Sequence, residues 1–168
     1  MNLQDYHNES RKSMGFNTHR FPTNQGYNLQ QKKEMPEFLK ENADYVTIAE
    51  KNILSLGKPD KKQPDKRYFR KLTSSKIRNI LALVNQLYNK IVMQNEDLPE
   101  TIVSEIRYLK LRLIYEAGRE EDVENFCKVT GVIDALDFIG NSKARYIRYA
   151  RYMEALVAYH KFYNSEKD

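Results

Sequence analysis

The stretch Leu72-Thr73-Ser74-Ser75-Lys76-Ile77-Arg78-Asn79-Ile80-Leu81 closes a run of positive charge and opens an amphipathic helix. From Ile77 onward, Ile80, Leu81, Val84, Leu87, Tyr88 and Ile91 recur at intervals of three and four residues. That spacing lines side chains along one face of an α-helix, whereas a half-buried strand would alternate every second residue. Thr73 is a good N-cap, since its hydroxyl can accept from a backbone N–H that the first turn leaves without a partner. The stripe runs out near Asn95.

The same period governs the chain on both sides. Upstream, Tyr45, Ile48, Ala49, Ile53 and Leu56 predict a helix within Phe38–Leu56, with Gly57 as a left-handed stop. Lys58–Leu72 is polar, contains Pro59 and Pro64, and reads as a basic loop. Downstream, Leu98-Pro99 starts a third helix with proline in its first turn. Its buried face is Ile102, Val103, Ile106, Leu109, Leu113 and Ile114, and Gly118 ends it. Two short helices, about Glu120–Thr130 and Val132–Ile139, each stop at a glycine (Gly131, Gly140). Ser142 caps a long last helix reaching about Tyr163, with Tyr146, Tyr149, Ala150, Met153, Leu156, Val157 and His160 facing inward. No strand pattern and no internal repeat competes. The fold class expected is all-α: a compact bundle of five or six helices spanning 37–168. Residues 1–36 are polar and show no period, so they read as a flexible, disordered tail or as an arm that orders on a partner.

Composition narrows the function classes. The longest apolar run, Ile80-Leu81-Ala82-Leu83-Val84, falls far short of the roughly 20 residues that span a bilayer. The N-terminus lacks a signal-peptide pattern, and Cys127 is the only cysteine, which together fit a reducing cytoplasm. The net charge of +5 is modest but unevenly spread. Lys58–Arg78 carries nine cations against Asp60 and Asp65; Gln94–Glu124 carries nine acids against four bases; Lys143–Tyr163 carries five bases against Glu154. Such segregation suits a polyanion on one side, or head-to-tail docking of copies.

Catalysis has little to stand on. His7 and His19 lie in the tail, His160 falls on an inner helix face, and neither a zinc spacing nor a glycine-rich phosphate loop occurs. Cys127 beside Phe126 reads as a small core residue. The acids Glu116–Glu124 are sequential rather than convergent; they suit a solvated helix start or a basic partner surface. Two outer faces invite contact instead. Arg78, Asn79, Ala82, Asn85, Gln86 and Asn89 make an amide-rich face on the second helix. On the last helix, Arg145, Arg148, Arg151, Tyr152, Ala155 and Tyr159 could offer guanidinium groups to phosphates and rings to bases, or simply form a solvated face.

With Tyr152-Met153-Glu154-Ala155-Leu156-Val157-Ala158-Tyr159-His160 near the end of the domain, the opening stretch closely resembles the small subunit of the type III-A CRISPR (Csm) effector complex. The resemblance covers about Tyr45 to Tyr163, and the long polar N-terminus departs from the family pattern. It implies a non-catalytic, RNA-binding structural subunit in antiviral defence. Such a subunit lines the guide–target channel and touches target RNA without regard to sequence. The implied partners are target RNA, the guide-RNA-containing effector complex, other Csm subunits and neighbouring copies of the same chain. No cofactor, metal, membrane or small-molecule substrate is expected.

The residues expected to meet RNA are Lys66, Arg67, Arg70, Lys71, Thr73, Ser75, Lys76 and Arg78, with Arg145, Arg148 and Arg151 as a second surface. Phosphate contacts of this kind position a strand without reading it. The competing expectation is a pure assembly adaptor whose basic surface docks on acidic subunits.

Overall fold

The stripe beginning at Ile77 forms the inner side of a helix: Ile77, Ile80, Val84, Leu87 and Ile91 are all buried, with Leu81 and Tyr88 packed at its margins. The structure, a computed structural model, describes residues 33–165. The expected tail lies, up to residue 32, outside them. The helical unit begins at Glu34.

A single 3-10 turn, Glu37–Leu39, leads into α1 (Tyr45–Leu56). A two-stranded antiparallel ladder follows, β1 (Lys58–Pro59) with β2 (Arg67–Tyr68), then α2 (Ser74–Ile91) and α3 (Glu100–Arg119). Next come α4 (Glu121–Thr130), α5 (Val132–Ala135), a second 3-10 turn at Leu136–Phe138, and α6 (Lys143–Tyr163). Five of the helices close a circuit: α1 and α2 flank α6, α3 packs on α2 and α4, and α4 returns to α1. No helix among the described residues is long and apolar enough to cross a membrane.

Caps fix the register of the main helices. The Asp44 carboxylate accepts from the Val46 and Thr47 N–H groups, Thr73 Oγ1 from Lys76 N–H, and Ser142 Oγ from Arg145 N–H. Gly131 and Gly140 take the left-handed conformation that ends a helix without steric cost.

Several expectations need correction. Gly57 is extended, with φ −92° and ψ 141°, so it is not a left-handed stop. It is glycine because a Cβ there would sit 2.6 Å from the Arg67 Cβ and 2.8 Å from the Phe69 ring. The basic loop is partly a hairpin: Lys58 pairs with Tyr68 and Pro59 with Arg67, while the Asp60 carboxylate closes the turn by accepting from the N–H groups of Lys62 and Gln63. Those two bonds hold the Asp60 carboxyl below its usual range. Ile114 is 47% exposed, not buried, and Gly118 lies inside α3 instead of ending it.

The largest correction concerns Tyr152, expected on the outer face of α6 yet fully buried. Its ring stacks on Phe38 at 3.7 Å, its hydroxyl donates to Thr130 O at 3.0 Å, and the same hydroxyl oxygen of Tyr152 accepts from Asn52 Nδ2 at 2.7 Å. A helix wheel anticipates one buried stripe, but α6 is covered from two sides by α1 and α2, and the Glu37–Leu39 turn adds a third contact. The buried arc is correspondingly wide. Tyr146, Tyr149, Tyr152, Met153 and Leu156 all lie within it.

Candidate nucleic-acid interface

The eleven residues expected to meet RNA fall into two groups at opposite ends of α6. His160, near the C-terminal end of α6, is buried and its Nε2 lies 2.9 Å from Leu72 O, which ties that end to the start of α2. Arg145 sits at the other end, about 22 Å away at the α-helical rise of 1.5 Å per residue.

At the first end, Lys66, Arg67 and Arg70 belong to the hairpin and the turn after it. Lys66 Nζ donates to Phe162 O and lies 4.9 Å from the centre of that ring. Arg67 is half-buried and is clamped by its backbone: it bridges Asn164, and Arg67 O accepts from Ser165 N–H at 2.9 Å. These two cations fasten the hairpin to the end of α6. Arg70 and Lys71 are exposed, and Arg70 has a left-handed φ of 55°, an uncommon conformation for a residue with a side chain.

The start of α2 is less open to an anion than the sequence suggests. Thr73 spends its hydroxyl on capping its own helix. Ser75 and Arg78 are exposed. Ser74, which the sequence did not single out, is 2% exposed, and its hydroxyl has no hydrogen-bond partner among the described residues. Lys76 forms an ion pair with Glu120, and only 29% of its side chain is exposed. The basic block and the acidic block, separate along the chain, therefore meet in space. Arg119 and Glu116, 3.7 Å apart, extend the same mixed-charge corner.

The second group differs. Arg145, Arg148 and Arg151 border a cleft of about 690 Å³ between the first half of α6 and the segment around Leu39 and Tyr45. Arg148 is half-buried: its Nε donates to Phe38 O at 2.6 Å, another guanidinium nitrogen donates to Ala43 O, and its Cζ lies 5.3 Å from the Tyr45 ring centre. Arg145 donates to Phe138 O at 3.1 Å. Lys143, absent from the expected set, donates to Val92 O at 3.1 Å and Gln94 O at 2.7 Å, just past the end of α2. A cation near unsatisfied terminal carbonyls is favoured there by the helix dipole. Nothing local in the sequence announces that contact, since Lys143 and Val92 are distant along the chain.

The four cations Lys143, Arg145, Arg148 and Arg151 have no carboxylate ion-pair partner among the described residues. Backbone carbonyls orient three of them without cancelling their charge. Tyr152 does not join them, being buried in the core, where loss of hydration raises its hydroxyl pKa to about 12. Cys127 is also buried, its thiol pushed up to about 12, which leaves no reactive thiolate.

Residues 60–166 match the family model described as Csm2 Type III-A. Among curated relatives, a "CRISPR system Cms protein Csm2" of Enterococcus italicus is 42% identical over 98 residues, covering 56% of this chain and 70% of that one. The protein of the same name from Mycobacterium tuberculosis is 36% identical over 120 residues, or 71% of this chain and 90% of the relative. That of Streptococcus thermophilus is 35% identical over 123 residues, or 73% and 93%. The family match takes in β2, the capped α2 and the whole of α6. The chain belongs to the Csm2 family of type III-A CRISPR systems.

Proposed function

We propose that this chain is a non-catalytic structural subunit of a type III-A CRISPR ribonucleoprotein, and that it contacts the target RNA backbone without reading its sequence. Family membership supports the assembly. The observation that carries the RNA contact is the basic first half of α6, where Lys143, Arg145, Arg148 and Arg151 form no ion pair with a carboxylate among the described residues, although Glu41 and Glu96 also line the cleft. Guanidinium groups there suit phosphate oxygens, since Arg presents its donors in a planar fork.

Arg70, Lys71 and Arg78 give a second contact at the other end of α6. Lys76 contributes less, because a phosphate reaching it must compete with Glu120. Lys66 and Arg67 act by presenting the hairpin. The arrangement offers positive charge and carbonyl-braced side chains, with no convergent acid–base pair for chemistry.

The test is binding of two unrelated target RNAs, each matched to its own guide, by the reconstituted assembly carrying Arg145→Ala/Arg151→Ala. Both RNAs should lose affinity by the same factor. Loss confined to one sequence contradicts backbone contact. Unchanged binding of both, with failed recruitment of the subunit, favours the adaptor reading.

A further inference from the structure

The C-terminal end of α6 and the hairpin fastened to it gather rings and cations in one place. Phe162 is 63% exposed although its neighbours hold it: Lys66 Nζ lies 4.9 Å from its ring centre, and the Tyr163 ring meets it edge-on at 5.0 Å. Tyr163 is stacked with Tyr159 at 6.2 Å, and its hydroxyl donates to Glu50. On β2 of the hairpin, Tyr68 is 43% exposed. An exposed ring braced in this way has little side-chain freedom left to lose when a ligand covers it.

The charge around these rings is predominantly positive. Lys58, Lys61, Lys62, Arg70 and Lys71 are exposed on the hairpin and the turn after it, and none forms an ion pair with a carboxylate among the described residues. The nearby carboxylates are largely taken. Glu50 accepts from the Tyr163 hydroxyl, and Asp60 accepts from the Lys62 and Gln63 N–H groups, which leaves Asp65 exposed at the turn.

We propose that Phe162 is a stacking platform for an unpaired base of an RNA strand, whose phosphates the hairpin cations hold. The inference deepens the RNA-contact reading and rests on it. Ring and charge together select the occupant. An apolar protein surface would cover the ring and strand the cations. An acidic one would answer the cations, but the negative face of a ring repels carboxylates. A second copy that brought up its acidic α4 start falls under the same objection: Glu120 and Glu124 are already paired there with Lys76 and Lys128, and Glu121 and Asp122 offer only carboxylates. A nucleotide satisfies both demands, with a flat base for the ring and a phosphate for the cations. Bases inside a continuous duplex have neighbours on both faces, so the base that stacks here is an unpaired one. Every base has such a face, so the contact carries little sequence preference.

The chain contains no tryptophan, so Phe162→Trp gives the purified full chain a single indole at the platform. Single-stranded oligouridylate and oligoadenylate should both quench its emission, and a blunt duplex of equal nucleotide content should quench it far less. In the reconstituted assembly, Phe162→Ala should weaken target-RNA binding at least about fivefold, the loss of one stacked base. The log–log salt slope should stay at the wild-type value, because no phosphate contact is removed. Phe162→Tyr keeps an aromatic face and should retain binding. Unquenched emission up to millimolar oligonucleotide, or unchanged affinity with Phe162→Ala, overturns the inference. Equal quenching by the duplex or by polyglutamate overturns it too, as does quenching that grows with protein concentration alone, the mark of a second copy. Arg145→Ala/Arg151→Ala keeps the two readings apart. If that pair weakens target binding and Phe162→Ala does not, the α6 contact stands and the platform falls. If neither does, the RNA-contact reading fails and takes the inference with it.

Discussion

The start of α2 and the first half of α6 look equally basic as sequence, yet folding treats them in opposite ways. At the α2 start, the acidic beginning of α4 comes alongside, and Glu120 takes up Lys76. Along α6, the nearest partners of Lys143, Arg145 and Arg148 are carbonyls from the ends of other segments. A carboxylate cancels a positive charge; a carbonyl only aims it. Of two comparably basic surfaces, the one on α6 thus keeps its cations clear of carboxylate ion pairs among the described residues, while the α2 start loses Lys76 to one.

The sharpest way to break the α6 side is Tyr152→Ala. Phe38 stacks on this ring, and Phe38 O receives the Arg148 Nε, so the cleft wall depends on it. Removing a fully buried aromatic should cost about 3–5 kcal/mol of stability, read by denaturant unfolding. A loss within about 0.5 kcal/mol, the range of ordinary surface changes, would place Tyr152 outside the core.

Gly57→Ala strikes the other end. Its Cβ must push against the Arg67 Cβ and the Phe69 ring, both part of the packed hairpin. Overpacking of this kind costs about 1–3 kcal/mol. The hairpin amides should exchange faster while the α6 cleft is unaffected. A variant as stable as wild type would show that the hairpin moves aside freely.

The smallest effect sharpens the comparison most selectively. Glu120→Gln removes the carboxylate that faces Lys76 and leaves the side-chain volume in place. Exposed pairs are worth about 0.2–1 kcal/mol, so target-RNA affinity should rise by no more than about fivefold. A fall in affinity would mean that Glu120 itself supports the contact.

Much of the fold was legible because local rules decided it. The cap at Thr73, the stripe from Ile77 to Ile91, the left-handed Gly131 and the inward His160 all follow from spacing and turn chemistry within a few residues. What could not be read are the features made by elements meeting from afar. Tyr152 is buried because three segments surround α6, Gly57 is glycine because Arg67 and Phe69 return against it, and Lys76 is neutralised by a residue on α4. The candidate interface follows the same division. Residue types named the cations, while only packing separated those cancelled by carboxylates from those braced by carbonyls. Ile114 shows the limit within a single helix, since it fits the apolar period of α3 yet faces solvent beside Tyr115.

The most direct test is the salt dependence of target-RNA binding by the reconstituted assembly. Each lost contact to a single-stranded phosphate flattens the log–log slope by about 0.7. Arg145→Ala/Arg151→Ala should lower the slope by about 1.4 per copy, and Lys76→Ala by clearly less than 0.7. An unchanged slope for the α6 pair, with a full drop for Lys76→Ala, would contradict the account.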